Sequence, residues 1–213
     1  MPLIGEKDRE TLSREFAQLG RPVKLVMFTQ EFECPSCRNT RELLEETASL
    51  SEKIDLAIYD LVKDEDKANA YGVQLVPAVI VEGKKDYGIR FFGAPAGYEF
   101  STLVEDIIAV GTGTLPISEA SKEKLAQLTN SAYIHVFVTP SCPYCPRAVH
   151  TAHMLALASD KITAAMVMAP EFPHLANRYG VMAVPKVIIN EKVNFEGAVP
   201  EEEFVNFLIQ AAG

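Results

Sequence analysis

Val138-Thr139-Pro140-Ser141-Cys142-Pro143-Tyr144-Cys145 is the end of an apolar strand that breaks off and delivers two cysteines into the start of a helix. A stretch of the same kind lies upstream, Phe28-Thr29-Gln30-Glu31-Phe32-Glu33-Cys34-Pro35-Ser36-Cys37, and the 4 cysteines of the two stretches are all the chain has. Outward from each, the surroundings repeat. Tyr71-Gly72-Val73-Gln74-Leu75-Val76-Pro77 is mirrored by Tyr179-Gly180-Val181-Met182-Ala183-Val184-Pro185, and Cys34 to Cys142, Tyr71 to Tyr179 and Pro77 to Pro185 are each 108 positions apart. Beyond the prolines, Phe91-Phe92-Gly93-Ala94 matches Phe195-Glu196-Gly197-Ala198 at a separation of 104, the loss fitting a shorter turn at Asn190-Glu191-Lys192. Self-similarity at a fixed offset means two copies of one unit, not one large domain.

Hydrophobic spacing predicts the same element order in each copy. Leu12, Phe16 and Leu19 form a helical stripe that stops at Gly20-Arg21-Pro22, and Val23 to Thr29 has the length of a buried strand. Helix is expected from Arg38 to Leu50, strand from Ile54 to Tyr59, and a short polar helix from Lys63 to Tyr71, ended by Gly72. Strands at Val79 to Val81 and Ile89 to Phe92 follow across a turn at Gly83-Lys84-Lys85-Asp86. The stripe Phe100, Leu103, Val104, Ile107 and Ile108 then runs into Gly111-Thr112-Gly113-Thr114-Leu115-Pro116, the expected linker.

In the second copy, helices are expected from Ile117 to Leu128, from the cysteine pair to about Ser159, and through Phe204, Phe207, Leu208 and Ala211. Strands fall at Ile134 to Val138 and Ile162 to Met168. Residues 1–114 and 115–213 are the expected units. Strands joined through helices run parallel and those joined by a tight turn run antiparallel. The expected fold is α/β, each unit a mixed four-stranded sheet flanked by helices.

Composition excludes several classes. At 213 residues, with 48% hydrophobic and 23% charged residues, the chain has the make-up of an ordinary globular protein and suits two units of about 100 residues. A net charge of -9 and no basic stripe argue against nucleic acid, which needs clustered Lys and Arg to displace counterions. No stretch approaches the roughly 18 continuous apolar residues of a membrane span. The segment Met1-Pro2-Leu3-Ile4-Gly5-Glu6-Lys7-Asp8-Arg9 lacks the pattern of a secretory signal, so a cytoplasmic setting is expected. In a reducing cytosol, close cysteine pairs are catalytic or metal-binding more often than structural.

A disulfide-exchange catalyst needs one exposed, ionised thiol and a second within reach to resolve the mixed disulfide. Cys-x-x-Cys at a helix start supplies both, because the unpaired N–H groups and the positive dipole end favour a thiolate on the first cysteine. Cys34 and Cys142 are therefore the expected nucleophiles, and Cys37 and Cys145 the resolving thiols. Pro35 and Pro143 suit the first turn, where their missing N–H is no loss.

With these residues in view, each half resembles a thioredoxin-fold unit, and Cys142-Pro143-Tyr144-Cys145 is similar to the active-site tetrapeptide of glutaredoxins. The tandem chain resembles the glutaredoxin-like, two-unit protein disulfide oxidoreductases of thermophilic archaea and bacteria. The likeness spans essentially the whole chain. It implies redox-active disulfides Cys34–Cys37 and Cys142–Cys145, no bound cofactor, protein substrates, and electrons from a flavoprotein of the thioredoxin reductase type. It also implies that Pro77 and Pro185 are cis and face the cysteines, with the backbone of Val76 and Val184 open to an extended substrate segment. Pro35, Ser36, Pro143 and Tyr144 would line the same surface.

Two departures from that pattern stand out. Where many thioredoxin-like enzymes carry a buried carboxylate, this chain has Val136 in one half and Val26 or Phe28 in the other, and Asp60 has Met168 as its counterpart. In place of the Gly-Gly glutathione motif stand Gly93-Ala94-Pro95-Ala96 and Gly197-Ala198-Val199-Pro200, which favours protein substrates over glutathione. The halves also differ from each other. Ser36 stands against Tyr144 and Arg38 against Pro146; Arg38 would support the Cys34 thiolate, and Glu31 and Glu33 would oppose it. The second site is expected to be the more oxidising.

Competing readings remain. Two Cys-x-x-Cys pairs make a zinc site when about 15 to 20 residues apart, whereas 104 separate these. An electron shuttle for peroxide reduction, like the tandem module of alkyl hydroperoxide reductases, is the nearest rival, although that relative typically keeps one active pair. A chaperone-like binding protein with incidental cysteines is a third reading. His150 and His153 are expected as solvated helix residues and Glu201-Glu202-Glu203 as the acidic first turn of the last helix. Tyr71 and Tyr179 should pack in core or loop, and burial is expected for at least one of Phe91 and Phe92.

Overall fold

The computed structural model describes residues 2–30 and 32–212. Strands β1 (Val23–Thr29) and β5 (Ala132–Val138) run into the cysteine turns, which open helices α2 (Cys37–Ala48) and α6 (Cys145–Ala158). Ahead of the strands lie α1 (Glu6–Phe16) and α5 (Glu119–Ala126), and after the helices come β2 (Ile54–Asp60) and β6 (Ile162–Met168). Short helices α3 (Glu65–Tyr71) and α7 (Pro173–Arg178) lead to the hairpins β3 (Ala78–Glu82) with β4 (Asp86–Phe92), and β7 (Lys186–Ile189) with β8 (Val193–Glu196). Each unit closes with a helix, α4 (Glu99–Thr112) or α8 (Glu201–Ala212).

The periodicity explains the layers. Along β1, Leu25 and Met27 enter one apolar cluster and Val26 and Phe28 the other, so both faces of the strand are covered. β1 pairs parallel with β2 and antiparallel with β3; β5 does the same with β6 and β7. Phe91 and Phe92 are both buried. The Tyr71 and Tyr179 hydroxyls donate to Glu82 and Glu191, each just before or within a hairpin turn, the packing role expected of them.

The two four-stranded sheets do not stay apart. They join into one eight-stranded sheet of order β2-β1-β3-β4-β6-β5-β7-β8, with β4 and β6 parallel from Ile89↔Ala164 to Phe92↔Val167. The contact hides the free edge of β4 and makes β6 a fully covered inner strand. Gly88, at φ +81°, permits it: a Cβ there would lie 2.5 Å from the Ile162 carbonyl oxygen. The join makes the units unequal, because β4 acquires a neighbour while β8 remains an edge.

Three expectations are corrected. The linker glycine Gly111 lies inside α4, buried in the turn that packs on Leu19 and Val23, and the helix ends only at Gly113. His153 is not solvated. Its Nε2 donates to the Arg90 carbonyl at 3.1 Å, its Nδ1 shares a proton with Asp106 at 2.6 Å, and both side chains are fully buried between α4 and α6. His150, half-buried beside it, pairs with Glu105 at 3.0 Å, which raises its pKa. Glu201 does start α8, and it also accepts from Ser118 and Ser121 at the head of α5.

Candidate functional site: two disulfides at helix starts

Both cysteine pairs are disulfide-bonded, with Cα atoms 5.4 Å apart in the first and 5.5 Å in the second. Cys37 and Cys145 are the first residues of their helices and are buried. Pro35 and Pro143 lie in the turns just before, not in the helices themselves. Cys34 is partly exposed, and Cys142, at 8% exposure, sits lower in its turn. In each pair the outer cysteine is the more exposed of the two, and the inner one is held beneath it.

Val76-Pro77 and Val184-Pro185 are cis. The pairings Phe28↔Ala78 and Phe137↔Lys186 set each proline beside the strand that leads to the cysteines. In the second site Cys142 Sγ lies 3.8 Å from the Val184 carbonyl oxygen. The loops after the hairpins are tied down identically, Gly93 N–H donating to Pro77 O and Gly197 N–H to Pro185 O, each at 2.9 Å. Pro77 and Pro185 are buried, whereas Val76 and Val184 are partly exposed.

Around this shared geometry the two rims differ. Tyr144 is 71% exposed and Met182 90%, so the second site is bordered by apolar side chains. At the first site Phe32 is exposed, while the Ser36 hydroxyl donates to Glu171, a residue of the other unit that spacing within one repeat could not reveal. Arg38 pairs with Glu42, 2.9 Å off. Glu33 holds a left-handed φ of 59° immediately before Cys34. Glu31 lies outside the described residues.

The strand positions that lack a carboxylate, Val26, Phe28 and Val136, are fully buried apolar side chains. A buried acid nevertheless exists at the head of α4. Glu99 is fully buried; Thr102 Oγ1 donates to its Oε2 at 3.0 Å, and desolvation pushes its pKa up to about 7 from an ordinary 4.5. The folded state therefore holds a proton that the unfolded chain releases. Stability from this group is complete below pH 4.5 and is lost as pH rises through 7, by about 3 kcal/mol in all. Thermal melts from pH 4.5 to 8 should show this decline in the wild-type chain and a flatter profile in Glu99→Gln; identical slopes would contradict it.

Among the described residues, no group of three or more His, Cys, Asp or Glu side chains is placed to hold a metal ion. Nor is any helix long and apolar enough to cross a membrane.

Comparisons agree with this geometry. The family described as thioredoxin domain matches residues 24–105 and 132–210, one match per unit. A protein disulfide oxidoreductase from Aeropyrum pernix K1 superposes with a TM-score of 0.92 at 33% identity, over 98% of this chain and 94% of that one. The NTD_N/C domain of the alkyl hydroperoxide reductase AhpF from Enterococcus faecalis gives 0.89 at 28% identity, over 96% of this chain and 99% of that one. The corresponding alkyl hydroperoxide reductase protein of Escherichia coli is 26% identical over 88% of this chain but only 34% of its own length. The chain spans about a third of the curated relatives it matches. With two matched segments, each carrying its Cys-x-x-Cys disulfide and cis-proline, the chain belongs to the thioredoxin domain family.

Proposed function

We propose that this protein is a thiol–disulfide oxidoreductase acting on protein disulfides, with Cys34 and Cys142 as nucleophiles and Cys37 and Cys145 as resolving thiols. The observation that carries the reading is the repeated geometry: a disulfide at a helix start, its outer sulfur reachable, beside a cis-proline. In the reduced site the outer thiolate attacks one sulfur of a substrate disulfide, and the other substrate sulfur leaves and takes a proton. The inner thiol, deprotonated, then attacks the outer sulfur and frees the second substrate thiol. The substrate gains two electrons and two protons, and the site is left as a disulfide. Run backwards, the same steps form or rearrange disulfides.

The partly exposed Val76 and Val184, each ahead of a cis-proline, suit pairing with an extended segment. Pro35, Ser36, Pro143 and Tyr144 would border it, and exposed Phe32, Tyr144 and Met182 favour a polypeptide over a small thiol. The units are taken as 1–114 and 115–213. A flavoprotein of the thioredoxin reductase type in the cytoplasm would return electrons.

A second reading, electron delivery in peroxide reduction, is favoured by the likeness to the alkyl hydroperoxide reductase AhpF. A common assay tests the first: acceleration of insulin precipitation by dithiothreitol. The chain is expected to accelerate it; no acceleration, alongside rapid reduction by a peroxidase's disulfide, would favour the second.

A further inference from the structure

The opposite unit reaches both cysteine turns, and at the first it brings a carboxylate. β4 and β6 run parallel, so the segment leaving β6 passes beside the loop that leaves β4, at the first cysteine pair. There Glu171 N–H donates to Met168 O, and the half-buried Glu171 carboxylate accepts twice, from Ala94 N–H at 2.8 Å on Oε1 and from the Ser36 hydroxyl on Oε2. Gly93, at φ +94°, leaves room: a Cβ there would lie 3.0 Å from Glu171 Oε1 and closer still to the Met168 side chain. The second site is met differently: Tyr98 N–H of the first unit donates to the Pro140 carbonyl at 3.3 Å, two residues before Cys142. β8 is an edge strand, Tyr144 stands out in place of Ser36, and the repeat position of Glu171 in the first unit is Lys63.

We propose that Glu171 is a positioning residue of the Cys34–Cys37 site, contributed by the opposite unit, which holds the Cys34 thiol less acidic and this site more reducing than its twin. The proposal deepens the oxidoreductase reading and rests on it for the roles of the cysteines. When the disulfide opens, Cys34 must carry negative charge in the turn that contains Ser36. A carboxylate bonded to Ser36 opposes that charge and also occupies the hydroxyl that would otherwise be free to donate to the thiolate. Among the described residues, the first unit's own charged groups at this end include Glu33, Arg38 paired with Glu42, and Asp60 and Lys63 after β2. They are common to every variant below, so the contribution of Glu171 is separable.

The test uses the full chain with Cys142→Ser and Cys145→Ser, so that only the first site reacts. The pH profile of Cys34 alkylation by iodoacetamide is expected to move down by about half a unit to one unit in Glu171→Gln, and further in Glu171→Lys. In glutathione buffers, two glutathione thiols are oxidised to their disulfide as the Cys34–Cys37 disulfide becomes two thiols. That equilibrium should shift about three- to tenfold toward the reduced site, about 15 to 30 mV.

The charge order Glu, Gln, Lys is what a merely structural contact would not produce, and Gln, nearly isosteric, carries the test if Lys disturbs the fold. In the complementary chain, Cys34→Ser with Cys37→Ser, the Cys142 profile should not move. An unmoved Cys34 profile, or an equal shift at Cys142, would overturn the proposal. Alkylation needs no protein substrate, so an inactive wild-type chain in the insulin assay would sink the functional reading while leaving this one standing or falling on its own.

Discussion

Serine at both Cys34 and Cys142 is expected to reduce insulin-disulfide turnover to the uncatalysed rate of dithiothreitol alone. A serine hydroxyl is essentially never ionised near neutral pH and forms no disulfide, so neither the first attack nor the enzyme disulfide remains possible. The loss is chemical: oxygen replaces a single sulfur of similar shape, at the partly exposed Cys34 and at Cys142, which is 8% exposed. Each single variant should keep the turnover of its intact partner site, because each site has its own second cysteine buried beneath the first, Cys37 or Cys145. Activity retained in the double variant would favour a binding protein whose cysteines are incidental. Loss of all activity in both single variants would show that the sites act only in relay.

The second large effect concerns the seam. His153→Ala should cost about 3 to 5 kcal/mol, because it leaves Asp106 buried without its proton-sharing partner and opens a gap against Phe91. That is a large part of the total stability of a typical chain, commonly about 5 to 15 kcal/mol. Desolvation already raises the Asp106 pKa against the opposing pull of His153, so the orphaned carboxyl would be driven further toward its neutral form. Urea unfolding should show a lower midpoint with the slope retained. Replacing both partners, His153→Leu with Asp106→Val, should recover much of the loss, since no buried polar group is then stranded. A cost below about 1 kcal/mol in His153→Ala would contradict this account of the seam.

What could be foreseen from the sequence was whatever is local or repeated. Val23–Thr29 and Ile162–Met168 appear with the boundaries their apolar runs predict, and the offset of 108 aligned both cysteine pairs and both cis-prolines. What escaped lies between the copies. A repeat shows what each unit does alone, but pairing of β4 with β6 depends on surfaces 75 residues apart, at Ile89 and Ala164. His153 reads as one of two histidines on a helix until its partner 47 residues upstream is brought against it. Gly111 looks like linker material until Leu19 and Val23 are seen to need a helix face without a side chain. Glu171 has no sequence signal at all beyond being a departure from Lys63, and following such departures between aligned copies would have been the way to find it.

Cys34 and Cys142 are proposed to attack protein disulfides. Full-length Cys37→Ser and Cys145→Ser chains, each also carrying serine at the other site's nucleophile, isolate one outer thiol apiece and remove the thiol that would release its mixed disulfide. Incubated with a disulfide-containing protein such as insulin and separated without reductant, each should retain a covalent adduct that dithiothreitol removes. Peptide mass analysis should place the bond at Cys34 in the first chain and at Cys142 in the second. Absence of any adduct in both chains would contradict the account.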